Sequence, residues 1–111
     1  MYVLQMVDYA RDLERRVSYV RTEVIGKTRE NREIIAILLS SSNGQRNPGV
    51  LVDAGIQARQ WIGPATAFYL LDELANNRQL ADELLYNLDW YIIPNLNPDG
   101  YEWSFRDGSV L

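Results

Sequence analysis

Gln57 and Gln60 stand three residues apart, with Ala58 and Arg59 between them and Trp61 directly after. If the backbone makes one helical turn there, that spacing brings the two side chains together, an arrangement suited to metal ligands. The residue types work against that use. A glutamine amide presents a neutral oxygen, with neither the charge of a carboxylate nor the basic nitrogen of an imidazole. The plainer alternative is two polar residues satisfying the backbone groups of a loop. Arg59 can hold a carboxylate or carbonyl in a bidentate grip, or serve as a solvated or structural ion-pair partner. Trp61 is expected to anchor the loop from beneath, in the core. Further along, Asn97-Pro98-Asp99-Gly100 reads as a tight turn: the proline disfavours helix before it, and Asp99-Gly100 makes the bend. Asp99 is a weak candidate for a catalytic acid, because the sequence offers it no evident partner.

Much other chemistry is excluded by composition. The 111 residues contain no histidine and no cysteine. A tight transition-metal site would therefore have to be built from carboxylates and amides, a poor set for zinc. A serine triad is excluded with histidine, and no Gly-x-Ser-x-Gly element occurs. Asp72/Glu73 and Asp82/Glu83 are adjacent pairs that diverge on a helix. Gly26-Lys27-Thr28 lacks the upstream glycine of a phosphate loop and lies between two strands. The net charge is −4, and the basic cluster Arg11/Arg15/Arg16 is interrupted by Asp12 and Glu14. No positive stripe is formed, so nucleic acid is not an expected partner. With 47% hydrophobic and 23% charged residues the chain is neither disordered nor of low complexity. No apolar run approaches the ~18 residues of a membrane span, and no secretory signal is visible after Met1.

The elements that must position these residues follow from periodicity. Met6, Tyr9/Ala10, Leu13 and Val17 recur at helical spacing with charges between them, predicting a surface helix. Ser18 to Val24 alternates, and Glu33 to Leu39 makes a second strand beyond the turn residues of Gly26 to Arg32, predicting a hairpin. Ser40 to Pro48 is a polar loop with an Asn43-Gly44 turn signal. Val50 to Val52 is a short strand, Asp53 to Gly63 is irregular, and Pro64 suits the first turn of a helix over Ala65 to Asn76. A further short helix spans Gln79 to Tyr86. Trp90 to Ile93 is apolar on both faces, as expected of a strand covered on both sides. Strand, helix, strand implies a parallel pair, with ligands gathering beyond the carboxyl ends. Gly55 to Trp61 and Asn95 to Gly100 are placed there together.

Read in order, Ile25-Gly26-Lys27-Thr28, Glu30-Asn31-Arg32, Val52-Asp53-Ala54-Gly55-Ile56, Ala58-Arg59, Trp61-Ile62, Pro64-Ala65-Thr66 and Asn97-Pro98-Asp99-Gly100-Tyr101-Glu102 resemble the zinc metallocarboxypeptidases of the carboxypeptidase A/B type. The likeness runs nearly end to end. In that family the loop reads Gly-Ile-His-Ala-Arg-Glu-Trp-Ile; its His and Glu are two of three zinc ligands, and its Arg helps to position the peptide. The resemblance implies that Gln57 stands at the histidine position and Gln60 at the glutamate position, while Arg59 is a vestigial substrate-binding residue. The family's oxyanion arginine, carboxylate-gripping Asn-Arg pair, third ligand, mobile tyrosine and general-base glutamate have no counterpart before Leu111. The expected fold is α/β, a partial mixed sheet with flanking helices. It corresponds to the N-terminal portion of the zinc carboxypeptidase fold, as one truncated domain over residues 1–111. The expected function is that of an inactive member of a family that hydrolyses C-terminal peptide bonds, without a cofactor where the parent uses zinc. The alternatives are a non-catalytic pseudoenzyme that binds a peptide or protein partner, and a fragment of a longer metallocarboxypeptidase-like protein. An unpaired sheet edge implies self-association. The family context implies an extracellular setting.

Overall fold

The computed structural model describes residues 2–41 and 47–106. The Asn43-Gly44 turn and the segment from Asp107 to Leu111 lie outside the described residues.

Helix α1 spans Val3–Arg16 and buries Val3, Met6, Val7, Ala10 and Leu13, the three- and four-residue spacing of a single apolar stripe. Asp12 pairs with Arg15 at 3.4 Å and with Arg16 at 2.7 Å on the solvated face. Val17 ends the helix in an extended conformation. Strands β1 (Val20–Lys27) and β2 (Glu33–Leu39) form the antiparallel hairpin, with an irregularity between Val24 and Gly26. Asn31 takes a left-handed φ of 65° at its tip, a conformation asparagine tolerates better than most residues.

Strand β3 (Gly49–Asp53) is followed by α2 (Ile62–Asn76), α3 (Arg78–Leu84), β4 (Asp89–Ile93) and α4 (Pro98–Arg106). Pro64 falls within the first turn of α2. Asn77 closes α2, its N–H donating to the Glu73 carbonyl, and opens α3, its side chain accepting from the Leu80 N–H. The Tyr19 hydroxyl donates to the carbonyls of Leu74 (2.7 Å) and Ala75 (3.2 Å), satisfying groups that a helix end leaves open.

The sheet order is β1-β2-β4-β3. β4 runs antiparallel to β2 and parallel to β3, so the sheet is mixed and the strand–helix–strand expectation holds. One face carries Val20, Ile35, Ile37, Leu39 and Ile92 into a core shared with α1, α2 and α3. Leu13, Ile37, Leu39, Leu71, Leu74 and Ile92 are wholly buried there. The opposite face carries Leu38, Tyr91 and Leu51 side by side in register. Tyr91 is 41% and Leu51 63% exposed. The expectation that β4 is covered on both faces is therefore corrected: among the described residues, helices pack on one face only.

Candidate functional site

Beyond the carboxyl ends of β3 and β4 the two chains stay tied. The Ala54 N–H donates to the Ile93 carbonyl at 3.1 Å, and the Ala54 carbonyl accepts from Leu96 N–H at 2.9 Å. Gly55 then turns away at φ 82°. A β-carbon on it would lie 2.7 Å from Asn95 Oδ1 and 2.9 Å from Asn95 Cα, so only glycine fits. Asn95 is buried, and its Oδ1 accepts from the Asn97 N–H at 3.1 Å.

The segment Gln57 to Trp61 follows as a compact turn. The Gln60 N–H donates to the Gln57 carbonyl at 3.1 Å and the Gly63 N–H to the Gln60 carbonyl at 3.2 Å. Asn97 Nδ2 donates to the Ile56 carbonyl at 3.1 Å. Ala58 is the buried member of the turn, 2% exposed. A β-carbon on Gly100 would come within 3.0 Å of Ala58 Cβ and clash with the Asn97 amide, so Gly100 is the floor on which the turn rests. Gln57, Arg59 and Gln60 are exposed on top. The three-residue spacing of Gln57 and Gln60 is spanned by a hydrogen-bonded turn, not by a turn of helix. The loop's backbone is held by itself and by Asn97, which replaces the expectation that the two glutamine amides satisfy it.

Two expectations are corrected. Trp61 is not a core anchor: it is 45% exposed and stacks on Phe105, ring centroids 4.7 Å apart at 17°. Its indole N–H donates to Ser104 Oγ at 2.9 Å, and Ser104 in turn donates to the Tyr101 carbonyl at 2.6 Å. It therefore fastens the loop sideways to α4. Asn97-Pro98-Asp99-Gly100 is not an isolated turn but the start of α4. Asn97 Oδ1 accepts from the Gly100 N–H at 3.0 Å, the contact of a helix cap, and Pro98 fills the position where a missing N–H costs nothing.

Asp99 has partners that the sequence did not suggest. Its Oδ1 accepts from Thr28 Oγ1 at 2.8 Å and Arg32 Nη1 at 2.9 Å, and its Oδ2 from the Glu30 N–H at 3.4 Å. Burial pushes the carboxyl upward in pKa, but the bonds from Arg32, Thr28 and the Glu30 amide outweigh it and hold the group below the usual aspartate range. Arg32 is raised, chiefly by its bond to Asp99. Asp99 is thus a structural carboxylate that locks the hairpin tip to α4. Thr28, Arg32 and Asp99 were visible as motif letters, but not as one contact.

Zinc is the metal that the family resemblance implies, and the donor set does not fit it. The two ligand positions hold exposed neutral amides. Among the described residues, no group of three or more histidine, cysteine, aspartate or glutamate side chains is placed to hold a metal ion. A cavity of about 810 Å³, lined by residues including Tyr19, Arg78, Asp82 and Tyr86, lies toward the other end of the sheet. Ser41, on its wall, follows β2, whose Leu39 pairs with Trp90 near the start of β4. It takes no part in the loop.

Residues 6–109 match the zinc carboxypeptidase family model. The chain is 44% identical over 87 residues to a zinc carboxypeptidase of Simulium vittatum, covering 78% of this chain and 28% of that protein. It is 34% identical over 94 residues to an inactive metallocarboxypeptidase of Saccharomyces cerevisiae, covering 79% of this chain and 22% of that protein. The fold is similar to the crystal structure of carboxypeptidase A from Helicoverpa armigera, with a TM-score of 0.87 and 28% identity over 96% of this chain and 26% of that one. The chain spans between 18% and 28% of the length of the curated relatives it matches.

Proposed function

The chain belongs to the zinc carboxypeptidase family, and from that membership we propose that it is a non-catalytic member whose metal loop is kept in shape without metal chemistry. The observation that carries the reading is the loop itself: a tied turn presenting Gln57 and Gln60 as exposed amides where the family places histidine and glutamate. The family's zinc supplies a polarised water for attack on the terminal peptide bond. Neutral amides provide neither the charge nor the basicity to hold that ion. The likeness to an inactive yeast metallocarboxypeptidase supports the same reading. It applies equally to this chain alone and to a longer protein containing it, because the two amides stay where they are. An extracellular setting is proposed on family context alone.

The test is metal analysis after purification in excess zinc. The expected result is no stoichiometric zinc; one tightly held zinc per chain would overturn the proposal. Gln57→His combined with Gln60→Glu is expected to leave the 111-residue chain without peptidase turnover, since two ligands alone complete neither the site nor its base.

A second reading rests on Arg59, which is exposed on the tied turn beside the Trp61–Phe105 stack. Such a guanidinium suits the carboxylate or carbonyl of a peptide or protein partner. Titration with short peptides, repeated on Arg59→Ala, checks it: binding that the substitution abolishes supports a recognition role, and unchanged or absent binding removes it.

A further inference from the structure

We propose that the outer edge of β1 is a pairing site for a second copy of this chain, and that the Glu14 carboxylate of α1 holds it shut. β1 stands at one end of the sheet order, with β2 on its inner side. Which of its backbone groups point away from β2 follows from two contacts. The Ser40 N–H donates to the Tyr19 carbonyl, and the Val20 N–H turns back to the Val17 carbonyl at 3.1 Å. Alternation then points the backbone groups of Arg21 and Glu23 at β2. It sets the N–H and C=O of Val20, Thr22 and Val24 on the outer edge.

The place a further strand would take there is filled by the chain's own groups. Glu14 Oε2 accepts from the Thr22 N–H at 2.9 Å, and Glu14 Oε1 from Thr22 Oγ1 at 2.8 Å. Val17 holds the Val20 N–H. Both plugs come from the residues that lead into β1, so this edge is bounded from within the fold. A carboxylate laid on the middle of an edge strand guards it as charges on natural sheet edges do. Glu14 is itself exposed, and the groove between α1 and this edge has a volume of about 310 Å³. The plug can therefore swing out to water without disturbing the core.

The residues of β1 select the partner. An antiparallel strand centred on Thr22 sets Thr22 against Thr22 of the second copy and Val20 against its Val24. Arg21 then lies opposite the second copy's Glu23, and Glu23 opposite its Arg21, at non-hydrogen-bonded positions where side chains approach most closely. Both residues are exposed, and each cross-strand pair joins opposite charges. The in-register parallel alternative would set arginine beside arginine and glutamate beside glutamate. With Glu14 withdrawn, the two Thr22 residues exchange N–H···O bonds, and each Val24 N–H reaches the other copy's Val20 carbonyl. The contact is two-fold and closes on itself.

Sedimentation velocity from about 1 to 100 µM compares the 111-residue chain with Glu14→Ala. The variant is expected to dimerise about tenfold more tightly than the parent, since it frees the Thr22 amide and the two charge pairs. Alanine at an exposed helical position favours the helix, so the far-ultraviolet circular dichroism should match the parent. Glu14→Gln, of the same shape but uncharged, repeats the test without shortening the side chain and is expected to move in the same direction. In the Glu14→Ala background, Arg21→Glu places like charges across the axis and is expected to abolish the gain. Adding Glu23→Arg restores opposite pairs and should bring it back. Association no tighter than the parent's in both Glu14 variants overturns the proposal. So does a gain that Arg21→Glu leaves intact, or one that the double exchange fails to restore.

Discussion

Gly55 and Asp99 show how single residues shape the loop from opposite directions, one by what it lacks and the other by what it accepts. At φ 82°, with Asn95 against the missing β-carbon, Gly55→Ala is expected to cost about 1–3 kcal/mol. Urea denaturation checks it, and the Trp61–Phe105 stack gives a local fluorescence signal for the same change. The Asp99 carboxyl is held below its usual range in the folded chain. Its contribution is therefore complete above the ordinary aspartate pKa and disappears as pH falls through the lowered value. Asp99→Asn should flatten that acid limb of the stability profile. In a double-mutant cycle with Arg32→Gln the two losses should overlap, with coupling of about 1 kcal/mol or more; additive losses would break the lock. Neither contact was legible in the letters. Thr28 and Arg32 lie some seventy residues before Asp99, and one sequence contains nothing that joins such positions. Trp61 misled for a related reason: tryptophan favours burial in general, and its outward stack exists only because α4 brings Phe105 alongside.

The regular elements were far more legible, because their signals are local. The stripe of α1, the alternation from Ser18 to Val24 and the end of α2 at Asn76 all follow from neighbours within a turn or two. Asn97-Pro98-Asp99-Gly100 was ambiguous at that range. The same residues serve a reverse turn and a capped helix start, and the distinguishing clue was an Asn followed by Pro at the first helical position. Asn77→Ala removes the side-chain cap of α3 while keeping the backbone N–H that closes α2, and is expected to cost about 1 kcal/mol, read from thermal or urea melts. Between α1 and α2, the Tyr9 hydroxyl donates to the Asp72 carboxylate, and the Tyr9 and Phe68 rings meet edge-on with centroids 5.9 Å apart. Burial, then the bond to Asp72, pushes the Tyr9 hydroxyl up to about 12 from 10.0. Because the folded value is the higher one, this tie is complete below pH 10.0 and is lost as pH rises through about 12. Alkaline titration of stability should therefore lose part of its decline in Tyr9→Phe. An unchanged alkaline limb would remove Tyr9 from the account.

At the scale of the molecule, the sheet divides into a covered face and an open one, and no letter pattern announced which strands would border solvent. Trp90 to Ile93 looked apolar on both sides because it is; only the assembled sheet shows that Tyr91 faces outward. Since the loop's donors do not suit zinc, added zinc should not raise the melting temperature, nor chelator lower it, by more than the scatter of repeated scans. A zinc-dependent rise of several degrees would contradict both the loop reading and the proposal built on it. The bonds that shape the turn run among Gln57, Gln60, Gly63, Ile56 and Asn97, chiefly through the main chain, and rest on Ala58 and Gly100. None requires a particular side chain at positions 57 or 60. A loop supported from below in this way can exchange its two outermost residues without folding differently, so lineages that no longer need the reaction are free to let those positions drift while the architecture persists.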